Sequence, residues 1–87
     1  MILNFHKIFK KQIHKLPKRI QEQFVKRMHL FLDNPFEQML NNHALKGEFE
    51  GKRSFNITGD IRVIYEEIDA DTVLFLMIGT HSELYER

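Results

Sequence analysis

The apolar residues of this chain follow a helical spacing in its first third. They fall into two groups, one before and one after Pro17. The first group is Phe5, Ile8, Phe9, Ile13 and Leu16, and the second is Ile20, Phe24, Met28, Phe31 and Leu32. This spacing puts apolar side chains on one side of a helix, so it predicts two amphipathic helices that meet at Leu16 and Pro17. Asp33-Asn34-Pro35 should end the second helix, because the residue before a proline disfavours the α conformation.

From residue 53 onward the pattern of apolar residues is that of β-strands. Three segments carry it, at residues 54–58, 61–66 and 72–78. Gly59-Asp60 and Asp69-Ala70-Asp71 separate them and have the composition of turns. The three segments therefore predict an antiparallel meander. The last segment is apolar on both faces, so one face should pack on the helices while the other is partly covered or borders a cleft.

These elements predict an α+β fold, in which an N-terminal helical hairpin packs on one face of a small antiparallel sheet of three or four strands. The fourth strand is left open, because residues 1–4 are too few to show a pattern. Residues 1–87 are expected to form one domain with a modest core. The chain has no cysteine, so apolar packing must hold it together.

Charge is distributed unevenly along the chain. Up to Leu30 there are eight Lys or Arg residues and one acidic residue, whereas the remaining 57 residues contain five basic and eleven acidic residues. The first part therefore carries +7 and the rest −6, which gives the net charge of +1. A basic block of this kind fits either a surface that binds a polyanion or a solvated helix face. No apolar run approaches the roughly 18 residues of a membrane span, so we expect a soluble cytoplasmic protein without membrane contact.

Candidate chemistry lies in the second half of the chain, where strands meet loops. His43 precedes the strands, Arg62 lies within one, and His81 follows the last. An imidazole can act as acid or base near neutrality, and an arginine offers a rigid fork for phosphate oxygens. Metal-free cleavage of RNA through the ribose 2′-OH needs a base, an acid and fixed positive charge, and Lys46 would add a further cation. The other histidines lie in the predicted helices and receive no role in a site: His6, His14 and His29.

Three motifs of this half resemble those of a known family. They are an H-x-L-x-G loop at residues 43–47, an R-[LV]-[IV]-Y strand at 62–65 and a C-terminal G-[ST]-H-[SA]-x-L-[FY] at 79–85. In this order and spacing they resemble the RelE/ParE toxin superfamily, and within it the YafQ-type branch, over nearly the whole chain. The resemblance implies a RelE-like fold and a bacterial type II toxin that cleaves mRNA, usually in the ribosomal A site, and that a cognate antitoxin holds inactive. The predicted chemistry needs no metal or other cofactor.

The resemblance also implies roles for individual residues. His43 matches the loop histidine and is predicted to be the general base. His81 matches the C-terminal histidine and is predicted to be the acid, but the two labels are interchangeable at this point. Arg62 would stabilise the phosphorane, and Tyr85 would stack on a base or orient the substrate. The expected catalytic residues are thus His43, Arg62, His81 and Tyr85, and the expected RNA contacts are Lys46, Lys52, Arg53 and Asp60.

Two positions depart from the pattern of the YafQ-type branch. Asn56 stands where a histidine is often found, and Met77 stands where an arginine often precedes the final motif. The loss of one imidazole and one cation leaves open a catalytically weakened relative that mainly binds its antitoxin. A non-catalytic, ParE-like toxin that binds DNA gyrase is the other alternative, but two imidazoles in one cleft favour the nuclease. A purely structural role also stays open for Arg62, as a partner of Glu66 or Asp60 in the sheet.

Overall fold

The computed structural model describes residues 1–85, which form a five-stranded sheet with two long helices on one face. The strands are β1 (Ile2–Phe5), β2 (His43–Ala44), β3 (Arg53–Asn56), β4 (Ile61–Glu67) and β5 (Thr72–Thr80). The helices are α1 (Lys7–Lys15), α2 (Lys18–Asp33) and α3 (His81–Tyr85), with two short 3-10 helices, η1 (Gln38–Leu40) and η2 (Gly47–Phe49). The predicted α+β class is therefore confirmed. Within residues 1–85, no helix combines the length and the hydrophobicity that crossing a bilayer requires.

The sheet differs from the predicted one in the number and direction of its strands. The strand order is β1-β5-β4-β3-β2, so the predicted meander of β3, β4 and β5 is present and gains one strand at each edge. Strand β1 runs parallel to β5, with Phe5 opposite Phe75, whereas the other pairs are antiparallel. The expectation of a purely antiparallel sheet of three or four strands was wrong in these details. Strand β1 has four residues and β2 has two, which is too short for alternation to show in the sequence.

The two N-terminal helices begin and end near the predicted positions. Helix α1 follows His6, whose Nδ1 accepts a 3.1 Å hydrogen bond from the backbone N–H of Ile8 and so caps the helix. Residues 16–17 link it to α2, which begins just after the proline and ends before Asn34 and Pro35, as predicted. Both helices pack on the same face of the sheet, so the predicted hairpin is present as a layer on a larger sheet than expected.

An aromatic core lies between this helical layer and the sheet. Six of its rings are at most 6% exposed: Phe9, Phe24, Phe31, Phe55, Tyr65 and Phe75. Phe75 on β5 lies at the centre, with its ring centroid 5.5 to 6.2 Å from those of six other rings. Helices α1 and α2 meet there, with 5.3 Å between the ring centroids of Phe9 and Phe24. Each such ring pair adds about 0.5–1.5 kcal/mol to the free energy of unfolding beyond its buried area.

The opposite face of the sheet carries a smaller apolar cluster. Side chains alternate along β4, so Arg62 and Ile64 point away from the helical layer. Ile64 packs there with Phe49 of η2 and Leu84 of α3. Partly buried side chains complete the cluster: Leu45, Leu76, Met77 and Tyr85. The prediction that both faces of the last strand are covered or border a cleft is confirmed, and this cluster supports the candidate site.

Candidate active site

A cleft of about 470 Å³ opens on the sheet face that carries the smaller cluster. Its lining residues are Asn41, His43, Leu45, Lys46, Arg62, His81 and Tyr85. All four residues expected to be catalytic are among them, together with one of the four expected RNA contacts, Lys46. No Asp or Glu of residues 1–85 lines the cleft, so Arg62 and Lys46 give it a positive charge. The chain thus brings two imidazoles, two cations and a phenol together in one cavity.

His43 lies on the short edge strand β2, and hydrogen bonds hold both its side chain and the segment that carries it. Its Nδ1 lies 2.9 Å from the backbone carbonyl oxygen of Asn41. The side chain of Asn42 donates hydrogen bonds of 2.8 Å to the carbonyl of Pro35 and of 2.7 Å to the hydroxyl of Tyr65. These bonds and the pairing of β2 with β3 fix the segment that carries the imidazole. An exposed histidine therefore has a defined position at the edge of the cleft.

Arg62 projects from the central strand β4 and is held by neutral groups. Its Nη1 donates a 2.6 Å hydrogen bond to Oδ1 of Asn56, and its Nη2 donates a 3.3 Å hydrogen bond to the carbonyl of Gly59. Neither Glu66 nor Asp60 forms a hydrogen bond with it, in contrast to the structural alternative raised by the sequence. Because these two partners are uncharged, they do not neutralise the positive charge of the guanidinium, which can then attract an anionic ligand.

Two side chains that line the cleft have buried polar groups without a partner. Among residues 1–85, Nε of Arg62 and the hydroxyl of Tyr85 are buried and make no hydrogen bond. Leaving such a group unpaired costs about 1–3 kcal/mol. Both atoms are shielded from solvent, so the attraction of the cleft for an anion rests on the positive charges of Arg62 and Lys46. In the same part of the chain, no three His, Asp or Glu side chains are arranged to hold a metal ion.

Helix α3 brings His81 and Tyr85 to the cleft and begins with a reciprocal pair of hydrogen bonds. Oγ1 of Thr80 accepts a 3.1 Å bond from the N–H of Glu83, and Oε1 of Glu83 accepts a 2.8 Å bond from the N–H of Thr80. This arrangement is a capping box, which fixes the first turn of a helix. Leu84, 1% exposed, anchors the other side of the turn in the smaller cluster. The position of His81 therefore depends on one short helical turn, which the capping box and the buried side chain of Leu84 both hold in place.

The rings of His81 and Tyr85 contact each other in the cleft. Their centroids lie 4.7 Å apart and their planes differ by 49°. Tyr85 also meets Phe49 edge to face, with 5.7 Å between centroids. Gly79, just before α3, leaves room for the capping side chain of this helix, since a Cβ there would lie 3.2 Å from Oε1 of Glu83. The half-buried ring of Tyr85 is thus a fixed part of the cleft wall.

Three of the expected RNA contacts lie outside the lining of the cleft. Nε of Arg53 donates a 2.9 Å hydrogen bond to Oδ1 of Asn42, and its guanidinium lies 5.2 Å from the ring centroid of Phe36. These contacts tie β3 to the segment before β2. Asp60 lies in the exposed turn between β3 and β4, and Lys52 is half-buried just before β3. For all three residues a contact with RNA stays a prediction.

The two departures from the motif pattern have definite places in the fold. Asn56 is the residue that fixes Nη1 of Arg62. Met77 lies opposite Ile64 in the sheet and packs in the smaller apolar cluster. At this position the chain therefore supports the cleft by apolar packing, and the positive charge of the cleft comes from Arg62 and Lys46.

The sequence did not reveal the contributions of Asn41, Leu45 and Asn56 to the site. Asn41 has a φ of +48°, a left-handed conformation that asparagine adopts more readily than most residues. The pair of asparagines before His43 was the available signal for such a turn. The bond from Arg62 to Asn56 depends on the register of β3 against β4, which the sequence does not give.

Comparison with known proteins places this architecture in a family. The family model for the bacterial toxin of type II toxin–antitoxin systems, YafQ, matches residues 1–86. A curated relative from Haemophilus influenzae, named as a YafQ toxin, is 28% identical over 90 residues, which cover 93% of this chain and 88% of the relative. The crystal structure of YafQ from Escherichia coli BL21(DE3) has a TM-score of 0.81 at 22% identity, covering 95% of this chain and 96% of its own. The structure of the E. coli DinJ–YafQ complex gives 0.78 at 22% identity with the same coverage.

The likeness to the E. coli structures shows a common fold, and the family match extends over almost every residue of the chain. The RelE-like fold and the family inferred from three short motifs are confirmed by these findings. The chain belongs to the YafQ family of bacterial toxins of type II toxin–antitoxin systems.

Proposed function

We propose that this toxin is a ribosome-dependent, metal-independent endoribonuclease that cleaves mRNA through attack by the ribose 2′-OH. One observation carries the proposal, namely that His43, His81, Arg62 and Lys46 line a single cleft. A toxin that acts only by binding has no use for two imidazoles beside uncompensated cations. The combination is what cleavage of a phosphodiester requires.

The two histidines share the proton transfers. His43 takes the proton of the 2′-OH as that oxygen attacks the adjacent phosphorus. The O2′–P bond forms and the P–O5′ bond breaks, while His81 gives a proton to the departing O5′. The products are a 2′,3′-cyclic phosphate and a 5′-hydroxyl, and the proton that His43 gains balances the one that His81 loses. General acid–base groups of this kind contribute roughly 10²–10⁴-fold to a rate.

Arg62 is the principal group that stabilises the dianionic phosphorane. A guanidinium has five N–H donors, and the bonds to Asn56 and Gly59 occupy two of them. Of the remaining three, Nε is buried, so the second N–H of each terminal nitrogen is the donor available to non-bridging oxygens. A preorganised donor of this type lowers the barrier by about 2.7–4 kcal/mol. Lys46, exposed at the cleft, adds a second positive charge.

The proposal includes three partners: a cognate antitoxin, mRNA and the ribosome. The antitoxin is supported by family membership and by the similar E. coli YafQ, which is found in complex with DinJ. Contact with ribosomal RNA is supported by the helical layer, since seven of the eight basic residues before position 31 are exposed on α1 and α2. A ribosomal site of action places the protein in the cytoplasm. An antitoxin that binds only the folded toxin would also stabilise it.

Induced expression with mapping of transcript ends tests the nuclease. Wild type is compared with His81→Ala and Arg62→Ala, and His29→Ala is the matched control because His29 is exposed on α2, away from the cleft. We expect growth arrest and cleavage at coding positions from wild type and from the control. His81→Ala and Arg62→Ala should lose cleavage while they still fold and bind antitoxin.

Other outcomes would replace the nuclease by one of the alternatives. Growth arrest without transcript cleavage, unchanged in His81→Ala, would indicate a toxin that acts by binding, such as a gyrase inhibitor. Antitoxin binding without growth arrest would indicate a catalytically weakened relative.

A further inference from the structure

The hydrogen bond between His43 and Asn41 defines which nitrogen of the imidazole carries the proton. Nδ1 of His43 lies 2.9 Å from the backbone carbonyl oxygen of Asn41. A carbonyl oxygen can only accept a hydrogen bond, so Nδ1 must be the donor. A neutral imidazole has one N–H, and the proton on Nδ1 leaves Nε2 with a free lone pair. Nε2 makes no hydrogen bond within residues 1–85.

The backbone of Asn41 explains why a carbonyl stands at this place. Asn41 follows η1 with a φ of 48° and a ψ of 47°, and its N–H donates a 3.1 Å bond to the carbonyl of Gln38. This left-handed residue turns the chain between η1 and β2, while Asn42 is tied to Pro35 and Tyr65 by its side chain. The carbonyl is therefore held from both sides and does not depend on a mobile side chain.

We infer that Asn41 is a positioning residue that holds neutral His43 with its proton on Nδ1, so that Nε2 of His43 is the general base of the cleft. The inference rests on the proposed nuclease and gives a structural reason for the role of His43 as its base. When Nε2 takes the proton of the 2′-OH, the ring becomes an imidazolium with both nitrogens protonated. The bond from Nδ1 to the Asn41 carbonyl persists through that change and stabilises the cation that forms.

His81 has a different environment, which fits the role of acid. Its ring contacts Tyr85, and neither of its nitrogens has a hydrogen-bond partner among residues 1–85. No carbonyl selects one neutral tautomer of this ring. An imidazolium that must deliver a proton to O5′ needs no such selection, because both of its nitrogens carry one. The asymmetry between the two histidines thus assigns the base to His43 and leaves the acid to His81.

Nitrogen-15 NMR of the labelled toxin tests the tautomer directly and needs no RNA. Spectra that correlate ring nitrogens with ring protons are recorded at about pH 8.5, where an ordinary imidazole is neutral. His43 is assigned with a His43→Gln variant, and the exposed His29 is the internal control. We expect the proton on Nδ1 in His43, in contrast to His29, where the ordinary preference of a free imidazole for a proton on Nε2 should prevail. A wild-type His43 that carries its proton on Nε2 would overturn the inference.

Two substitutions of Asn41 separate the role of its backbone from that of its side chain. Asn41→Gly tolerates a positive φ and keeps the carbonyl, so the Nδ1–H form should be retained. Asn41→Val disfavours that conformation, so we expect a gain of the Nε2–H form and a fall in kcat of roughly tenfold or more with little change in KM. Equal kcat and an unchanged tautomer in a folded Asn41→Val variant would contradict the role of Asn41.

The proposed tautomer of His43 and the proposed nuclease activity can be contradicted independently of each other. A toxin that shows the Nδ1–H form but cleaves no ribosome-bound mRNA would contradict the nuclease and support the positioning by Asn41. A toxin that cleaves mRNA while His43 carries its proton on Nε2 would support the nuclease and overturn the inference.

Discussion

Asn56 gives Arg62 a fixed position in the folded protein. Its Oδ1 accepts a 2.6 Å hydrogen bond from Nη1, and the carbonyl of Gly59 holds Nη2. A free arginine side chain loses about 1.5–2 kcal/mol of conformational entropy when it is ordered, and here the fold has already ordered it. Asn56 thus has its own role in the site, as a positioning residue for the guanidinium.

Asn56→Ala should lower kcat roughly tenfold, because a hydrogen bond to a charged group is worth about 1.5–3 kcal/mol. Arg62→Ala should lower kcat by roughly 10²–10³. The double variant should be no worse than Arg62→Ala alone, since Asn56 acts through Arg62. Single-turnover cleavage of ribosome-bound mRNA measures all three variants. Additive losses in the double variant would show that Asn56 contributes to catalysis independently of Arg62.

The stability of the folded protein depends on pH through the buried hydroxyl of Tyr65. Burial raises the pKa of its hydroxyl above the ordinary value of 10.0, against the opposing effect of the hydrogen bond from Asn42. The folded protein therefore keeps this proton to a higher pH than the unfolded chain does. The contribution to stability is fully present below about pH 10 and is lost as the pH rises further.

Urea unfolding at about pH 8 and pH 11 tests this linkage. The free energy of unfolding of the wild type should be lower at the higher pH, because the hydroxyl of residue 65 ionises more readily in the unfolded chain than in the folded protein. Tyr65→Phe should remove that part of the pH dependence and should itself be less stable at pH 8, since Asn42 loses a partner. An identical pH dependence in wild type and Tyr65→Phe would contradict the account.

At the level of elements, the site depends on short segments that the larger elements hold in place. Helix α3 has five residues and β2 has two, yet they carry His81, Tyr85 and His43. Such segments have little stability of their own. Pairing with β3 fixes β2, while the capping box and Leu84 fix α3. The geometry of the cleft therefore depends more on the capping box of α3 and on the pairing of β2 with β3 than on the helical layer.

Thr80→Ala should reduce catalysis more than it reduces stability. The substitution removes the cap of α3 and should lower the free energy of unfolding by about 1 kcal/mol. It should also displace His81, the first residue of the helix, so kcat should fall while antitoxin binding is retained. Thr80→Ser keeps the oxygen and is the matched control. Full activity in Thr80→Ala would show that the cap does not position His81.

At the level of the whole molecule, the aromatic core lies on one face of the sheet and the candidate active site lies on the other. Phe75 contacts six other rings in the core, while the cleft on the other face contains polar groups without partners. A chain of 87 residues has about 4–13 kcal/mol of stability in total. The free-energy cost of the unpaired groups in the cleft is a sizeable fraction of that stability, so packing in the core must compensate for it.

Phe75→Ala should remove about 3–5 kcal/mol, which is much of this stability. Phe36→Ala is the control, because Phe36 is 62% exposed and its contact with Arg53 is worth about 0.5–1 kcal/mol. Thermal unfolding of the two purified variants measures the difference. Similar melting temperatures for both would contradict the central place of Phe75 in the core.

The parts of the fold that the sequence predicted are those in which a pattern repeats. Helices α1 and α2 and strands β3 to β5 show periodicity over several residues, whereas β1 becomes a strand only because β5, far along the chain, pairs with it. Five of the seven residues that line the cleft were predicted from the sequence, but the hydrogen bonds of His43 and Arg62 follow from tertiary register. Alternation along β3 turns Asn56 toward Arg62 and Arg53 toward Phe36, and the predicted contact of Arg53 with RNA stays a prediction.

The nuclease is tested most directly by cleavage of an mRNA that carries a single 2′-deoxynucleotide at the mapped cleavage position, with purified toxin and ribosomes. We expect the all-ribose mRNA to be cut to a 2′,3′-cyclic phosphate and a 5′-hydroxyl, and the 2′-deoxy mRNA to remain intact at that position because the nucleophile is missing. Cleavage of both at the same rate, or products with a 5′-phosphate, would contradict a mechanism in which His43 activates the 2′-OH.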